Sequence, residues 1–199
     1  MPDWDTRFAE PGYAYGTEAN RFLVEVAERI PPGPVLSLGE GEGRNAVFLA
    51  GLGYDVTGVD GSAVGLAKAR ALAVDRKVRI ATVHADLAGF TIAPGAWSGI
   101  VSIFVHLEPP LRARVLRAVA EGLRPGGAFV LESYTPAQLA FGTGGPTELS
   151  RLVTLEELRT DLAGLEIEIG REIERDVTEG KYHGGRAAVV QVLARRPAH

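Results

Sequence analysis

Short apolar runs alternate with stretches whose apolar positions recur at helical spacing. Val35-Leu36-Ser37-Leu38, Tyr54 to Asp60, Val78 to Val83, Ile100 to Val105 and Ala128 to Tyr134 read as strands. The fourth is almost continuously apolar, as expected of a central strand covered on both faces. Helical spacing appears at Leu23, Val26, Ala27 and Ile30, where Thr17 is the expected cap and Pro31-Pro32-Gly33-Pro34 the stop. It recurs from a Ser62 cap to about Ala73, and from Glu108 to Gly122 with Leu111, Val115, Leu116 and Val119 on one stripe. Leu123-Arg124-Pro125-Gly126-Gly127 reads as a helix stop and turn. This order predicts an α/β fold: a doubly wound, mostly parallel seven-stranded sheet with right-handed crossovers. Beyond 134 the pattern changes. Thr154 and Glu157 form a capping box, Leu165 to Val177 alternates in places, and Ala187 to Ala194 is apolar. The last two read as an antiparallel strand pair added to the sheet edge. We expect a single domain over 1–199, with an arm and helix at 1–30, a core at 34–134 and further helices and a hairpin at 135–199.

In such a sheet, ligands lie outside the carboxyl ends of the strands. Gly39, Asp60, Asp86, His106 and Tyr134 fall at or just past those ends. The first strand runs into Gly39-Glu40-Gly41-Glu42-Gly43, and a helix follows from Asn45. Glycines there bring backbone close to a ligand, and the unpaired amides of the helix start attract polar groups. A dinucleotide turn needs a third glycine where this chain has Arg44, and the Gly-Lys-Ser/Thr of a phosphate loop is absent. Asp60, 21 residues after Gly39, places a carboxylate beside the turn, where it can accept from both hydroxyls of a ribose.

Composition narrows the partners. The chain has 199 residues, 46% hydrophobic and 23% charged, with a net charge of −4. That balance, without a run of like charges, argues against nucleic-acid and membrane binding. It has no cysteine, so disulfides, thiolate metal sites and a cysteine nucleophile are excluded. Four scattered histidines give no metal motif, and we expect none. Neither a signal sequence nor an apolar run of about 20 residues is found, so we expect a soluble cytoplasmic protein.

Four segments together resemble the class I S-adenosylmethionine-dependent methyltransferases. Val35 to Gly43 is similar to that family's first motif and Val59-Asp60 to its ribose-binding acid. Ala85-Asp86-Leu87 is similar to its adenine-contacting segment, and Leu123 to Gly127 to the turn before its fifth strand. The departure is Glu40, where the family more often has Asp. Trp4-Asp5, Tyr13 to Leu23 and Gly41 to Ala46 further resemble the small tellurite-resistance (TehB-like) and thiopurine-methyltransferase-like enzymes. The resemblance implies a Rossmann-like methyltransferase fold and S-adenosyl-L-methionine as cofactor. It implies contacts from Tyr15, Gly39, Glu40, Gly41, Gly43, Asn45, Asp60, Gly61, Ser62, Asp86, Leu87 and Phe104. The aromatic arm of Trp4, Phe8, Tyr13 and Tyr15 becomes a candidate lid.

The acceptor side is read from residue chemistry. His106 follows the fourth strand and is a candidate base or hydrogen-bond donor. Glu132 and Tyr134 share one face of the fifth strand, and one of them should face the pocket. Gly180 to Arg186 brings His183 and Arg186 together, and with Arg151 they are candidates to grip an anionic substrate. The candidate catalytic set is His106, Tyr134, His183 and Arg186, with His84 and His199 left structural or exposed. Glu40 either faces the cofactor's amino end or is an exposed turn carboxylate. The expected activity is methyl transfer to a small-molecule acceptor: a thiol, a chalcogen oxyanion or a heterocycle. The alternative is a non-catalytic S-adenosylmethionine-binding module, and the expected state is a monomer or weak homodimer.

Overall fold

A computed structural model describes residues 3–198, so His199 lies outside the described residues. Seven strands form one sheet in the order β3-β2-β1-β4-β5-β7-β6. They are β1 (Pro34–Leu38), β2 (Asp55–Asp60), β3 (Ala81–His84), β4 (Trp97–Ile103), β5 (Leu123–Tyr134), β6 (Glu166–Glu179) and β7 (His183–Arg195). The first five pair in parallel. β7 is antiparallel to β5, and β6 to β7. The strand order reverses between β1 and β4, which puts the ligand crevice at the end of β1.

Alternation along the strands builds a core on each face. Leu36, Ile100, Phe129, Leu131 and Val192 meet Val115, Leu116 and Val119 of α5 (Pro109–Gly122) and Leu158 of α6 (Leu155–Asp161). On the opposite face Val35, Val101, Val130 and Leu193 pack against Phe22 and Leu23 of α2 (Arg21–Val26) and Ala46 and Leu49 of α3 (Arg44–Gly51). α4 (Ala63–Asp75) is capped by Ser62, and α6 carries the Thr154–Glu157 capping box. A short helix, α1 (Trp4–Ala9), begins the N-terminal arm.

Three local expectations need correcting. The cap of α2 is Asn20, whose side chain accepts from the Leu23 amide, so Thr17 lies outside the helix. β3 begins at Ala81 rather than Val78. The turn at Leu123–Gly127 is taken into β5, with a register irregularity opposite Trp97 and Gly99.

Asn20 does more than cap. Its amide N–H donates to Asn45 Oδ1 at 3.0 Å, and its Nδ2 donates to Glu132 at 2.9 Å and to Glu179 at 3.1 Å. It thereby joins α2, the start of α3, β5 and β6. Asn20→Ala removes the cap and deprives two buried carboxylates of a donor. Denaturant unfolding should show a loss of about 2–4 kcal/mol; a loss below about 0.5 kcal/mol, the ordinary size of a surface change, would contradict this accounting.

Candidate active site

The turn after β1 is shaped by its glycines. Gly39, Gly41 and Gly43 all have positive φ, at 59°, 60° and 98°. A Cβ on Gly43 would lie 2.6 Å from the Ala69 backbone, so α4 packs directly on this residue. A Cβ on Gly39 would meet Val105 at 2.7 Å, and one on Gly41 would meet the Phe8 ring at 3.2 Å. The first two positions are therefore bare backbone facing the β4 end and the arm.

Asp60, at the end of β2, fastens this turn. Its Oδ2 accepts from the Gly41 amide at 2.8 Å and its Oδ1 from the Ser62 amide at 2.7 Å. Each oxygen keeps a lone pair free for a further donor. Burial raises the Asp60 pKa. The Ser62 hydroxyl caps α4 and also bonds Asp5 of the arm. Asp86 is exposed just beyond β3, accepting from the Ala88 amide at 2.7 Å, with Leu87 half-buried behind it. His84 is exposed and bonds the Gly61 carbonyl.

Glu40 is not the exposed turn carboxylate of one of its two expected positions. Its side chain turns inward, where Gly58 leaves the room, and Oε1 accepts from the Ala46 amide at 2.9 Å in the first turn of α3. Oε2 is buried without a hydrogen-bond partner among the described residues. Burial, the largest influence, pushes its pKa up to about 7. Asn45 is turned toward Asn20.

The acceptor-side residues meet beside this turn. Phe104 follows β4 directly, with φ of 55°, an uncommon value for a bulky side chain and a mark of a constrained site. Its ring centroid lies 4.6 Å from Tyr134 and 4.8 Å from His183. Tyr15 of the arm lies 4.6 Å from His183. His106 stacks on Tyr134 at 5.4 Å and shares a 3.3 Å hydrogen bond with Ser133. His183 lies edge-on to Tyr134, also at 5.4 Å. His106 Nε2, Tyr134 OH and His183 Nδ1 are all buried without a hydrogen-bond partner among the described residues. Leaving such atoms unpaired is costly, so they mark a place where a polar ligand belongs. Burial lowers the His106 pKa to about 4, and burial together with the Arg44 charge lowers His183 to about 3. Both imidazoles are neutral at pH 7. Burial likewise raises the Tyr134 phenol, which stays protonated.

Arg186 does not join them. It lies three residues after His183, so strand alternation turns it to the other face, where it pairs with Glu174 at 2.8 Å in solvent. Arg151 is held by Glu108 at 2.8 Å. Of the Glu132 and Tyr134 pair, Tyr134 takes the site, while Glu132 accepts from Asn20, Arg175 and Gln191.

Sequence reasoning missed what holds the two ends of the chain together. Glu42 accepts from the Ala14 amide at 2.7 Å and pairs with Lys68 at 3.0 Å. The Lys181 amide donates to the Ala14 carbonyl at 2.8 Å, Tyr182 OH bonds Glu10, and the Arg7 guanidinium lies 4.7 Å from the Tyr182 ring centroid. Gly180 touches the backbone of Ala14 to Gly16, which admits no side chain there. The signal available was small: an acid between two glycines, and a lone glycine at a hairpin tip.

Residues 35–127 match the methyltransferase domain family. A 2-heptyl-1-hydroxyquinolin-4(1H)-one methyltransferase of Mycobacteroides abscessus is 24% identical over 145 residues, 71% of this chain and 64% of that protein. The chain thus spans just under two thirds of that relative's length. The structure of TehB from Haemophilus influenzae superposes with a TM-score of 0.74 at 22% identity, covering 89% of this chain and 62% of the other. A protein studied for conversion of a disulfide bond into a thioacetal group during echinomycin biosynthesis superposes at 0.75, also at 22% identity, covering 97% and 87%. Likenesses at this identity fix the fold.

Glu40 gives a test of the site's electrostatics. Its folded pKa of about 7 exceeds its ordinary value of 4.5. The stability this group contributes is complete below pH 4.5 and is lost as pH rises through 7. The histidines act oppositely, losing stability as pH falls from 6.5 toward 4. Glu40→Gln cannot ionise, so between pH 5 and 8 it should gain about 2 kcal/mol on the parent in denaturant unfolding. Parallel stability–pH curves for the two proteins would contradict the buried position.

Proposed function

We propose that this chain, whose residues 35–127 match the methyltransferase domain family, is an S-adenosylmethionine-dependent enzyme that methylates a planar aromatic small molecule through an O–H or S–H group. The observation that carries the reading is the juxtaposition of the Gly39–Gly43 turn and Asp60 with three unpartnered buried polar atoms in an aromatic enclosure.

The residues fit the cofactor. Gly39 and Gly41 offer backbone without side chains, and Asp60 keeps lone pairs for ribose hydroxyls. Gly61 and Ser62 continue that edge, and Asp86 and Leu87, just past β3, are the residues we assign to the adenine side. S-adenosylmethionine supplies a methyl group on a positively charged sulfur, already activated for displacement. What remains for the protein is alignment, which can be worth about 7–11 kcal/mol of the barrier.

Phe104, Tyr134 and Tyr15 suit a flat ring, by stacking or edge contact. The neutral imidazoles of His106 and His183 accept a hydrogen bond from the acceptor's O–H or S–H and orient it, and one of them takes that proton as the oxygen or sulfur is methylated. Tyr134, protonated, donates to a neighbouring oxygen. The arm and hairpin tip close the site together and exclude water. A chalcogen oxyanion fits less well, because Arg186 points to solvent and neither imidazole carries charge at neutral pH. The unpartnered atoms also favour turnover over a non-catalytic binding module. The relative that methylates a hydroxyquinolone acts on a substrate of this shape.

Calorimetry should show S-adenosylmethionine binding, weakened by Asp60→Ala by about 1–3 kcal/mol. In a panel of a hydroxyquinolone, an aryl thiol, selenite and tellurite, transfer should fall on the aromatic acceptors. His183→Ala and Tyr134→Phe should each lower kcat by about 10²-fold or more. Transfer to the oxyanions alone, or full activity in His183→Ala, would contradict the proposal.

A further inference from the structure

Between the glycine turn and the hairpin lies a set of buried charges that the chemistry above does not use. Arg44 opens α3 immediately after Gly43, and only 8% of it is exposed. Its guanidinium is 2.6 Å from Glu179 Oε2. Glu179 is the last residue of β6, directly opposite His183 in register and one residue before Gly180 of the hairpin tip. Glu179 also accepts from Arg175 at 3.0 Å and from Asn20 at 3.1 Å, and Arg175 and Asn20 both reach Glu132. Two guanidiniums thus face two carboxylates, and the buried charge balances. Arg44 also donates a long 3.4 Å hydrogen bond to the Tyr15 carbonyl of the arm.

We propose that Arg44 and Glu179 are positioning residues, which couple occupancy of the glycine turn to the placement of His183 and the hairpin tip. The inference rests on reading that turn as the S-adenosylmethionine site. Three features support it. A buried ion pair adds little net stability over well-packed apolar side chains, so what it contributes here is a fixed geometry between its two ends. One end grows from the residue that closes the turn, and the other is His183's cross-strand neighbour. A second link runs in parallel, from Asn45 through Asn20 to the same carboxylate. A shift of the turn is therefore carried to the hairpin by two routes of fixed length. The Arg44 charge also reaches His183 directly, where after burial it is the next influence keeping the imidazole neutral.

The test is amide hydrogen exchange of residues 180–183, with and without saturating S-adenosylhomocysteine, and calorimetry on the same samples. The Lys181 amide, bonded to the Ala14 carbonyl, is the reporter. In the parent protein the ligand should slow its exchange by about tenfold, within the usual range of coupling between sites. Arg44→Gln combined with Glu179→Gln removes both charges and leaves neither partner alone. That variant should bind S-adenosylhomocysteine with at most about a tenfold loss, as reciprocity allows, and lose at least half of the ligand-dependent slowing, the Asn45–Asn20 link to position 179 remaining. Arg44→Lys, which keeps the charge, should retain most of it. If the double variant does not fold, Glu179→Gln, whose amide oxygen still accepts from Asn20 and Arg175, should lose at least half of the slowing. Undiminished slowing in whichever of these variants folds would overturn the proposal, as would a parent protein that binds the ligand with no change at 180–183. Failure of the parent to bind S-adenosylhomocysteine at all would instead remove the cofactor reading on which the proposal stands.

Discussion

Two carboxylates sit in the interior with two arginines, and the site depends on that balance. Glu132 lies fully buried near the end of β5, at the edge of an otherwise apolar face. An unpaired charge there would cost several kcal/mol. Arg175 and Arg44 reach it or its neighbour Glu179 from different elements, and Asn20 and Gln191 supply the remaining donors. Because each partner comes from a different segment, satisfying the charges fixes the positions of the segments. The N-terminal arm, the glycine turn, β5 and the β6–β7 hairpin are held in one arrangement.

The arrangement has a consequence for polarity. The buried charges lie directly beside an aromatic cluster that keeps unpaired nitrogen and oxygen atoms, Glu179 being the cross-strand partner of His183 and Glu132 sharing a face with Tyr134. Burial holds both imidazoles there uncharged. That polarity supports the flat aromatic acceptor proposed above, and the one exposed guanidinium named as an anion grip is turned away by strand alternation.

The parallel core was legible in the sequence because its signals are local. Apolar runs, Ser62 as cap, the capping box at Thr154 and the glycine turn each follow from neighbours within a few residues. Asp60 was found by its position at a strand end. His106, Tyr134 and His183 were named from chemistry alone, and the folded chain places them side by side. The failures are of another kind. Arg186 needed the register of β7 to decide its face, and the sequence had placed it in a loop. The burial of Glu40, against its exposed alternative, needed the room left by Gly58, on a different strand. The partnership of Arg44 with Glu179 spans most of the chain, and no spacing rule connects them. The aromatic arm was visible as composition, but its docking partner was a glycine-flanked hairpin tip whose role is defined only by contact.

The most direct test of the account is a crystal structure of the protein with S-adenosylhomocysteine bound. The account requires the ribose hydroxyls on Asp60, the amino acid end beside Gly39, and the sulfur directed at the space bounded by Phe104, Tyr134 and His183. A product sulfur facing away from those three residues, or a nucleoside bound elsewhere than the Gly39–Gly43 turn, would contradict it.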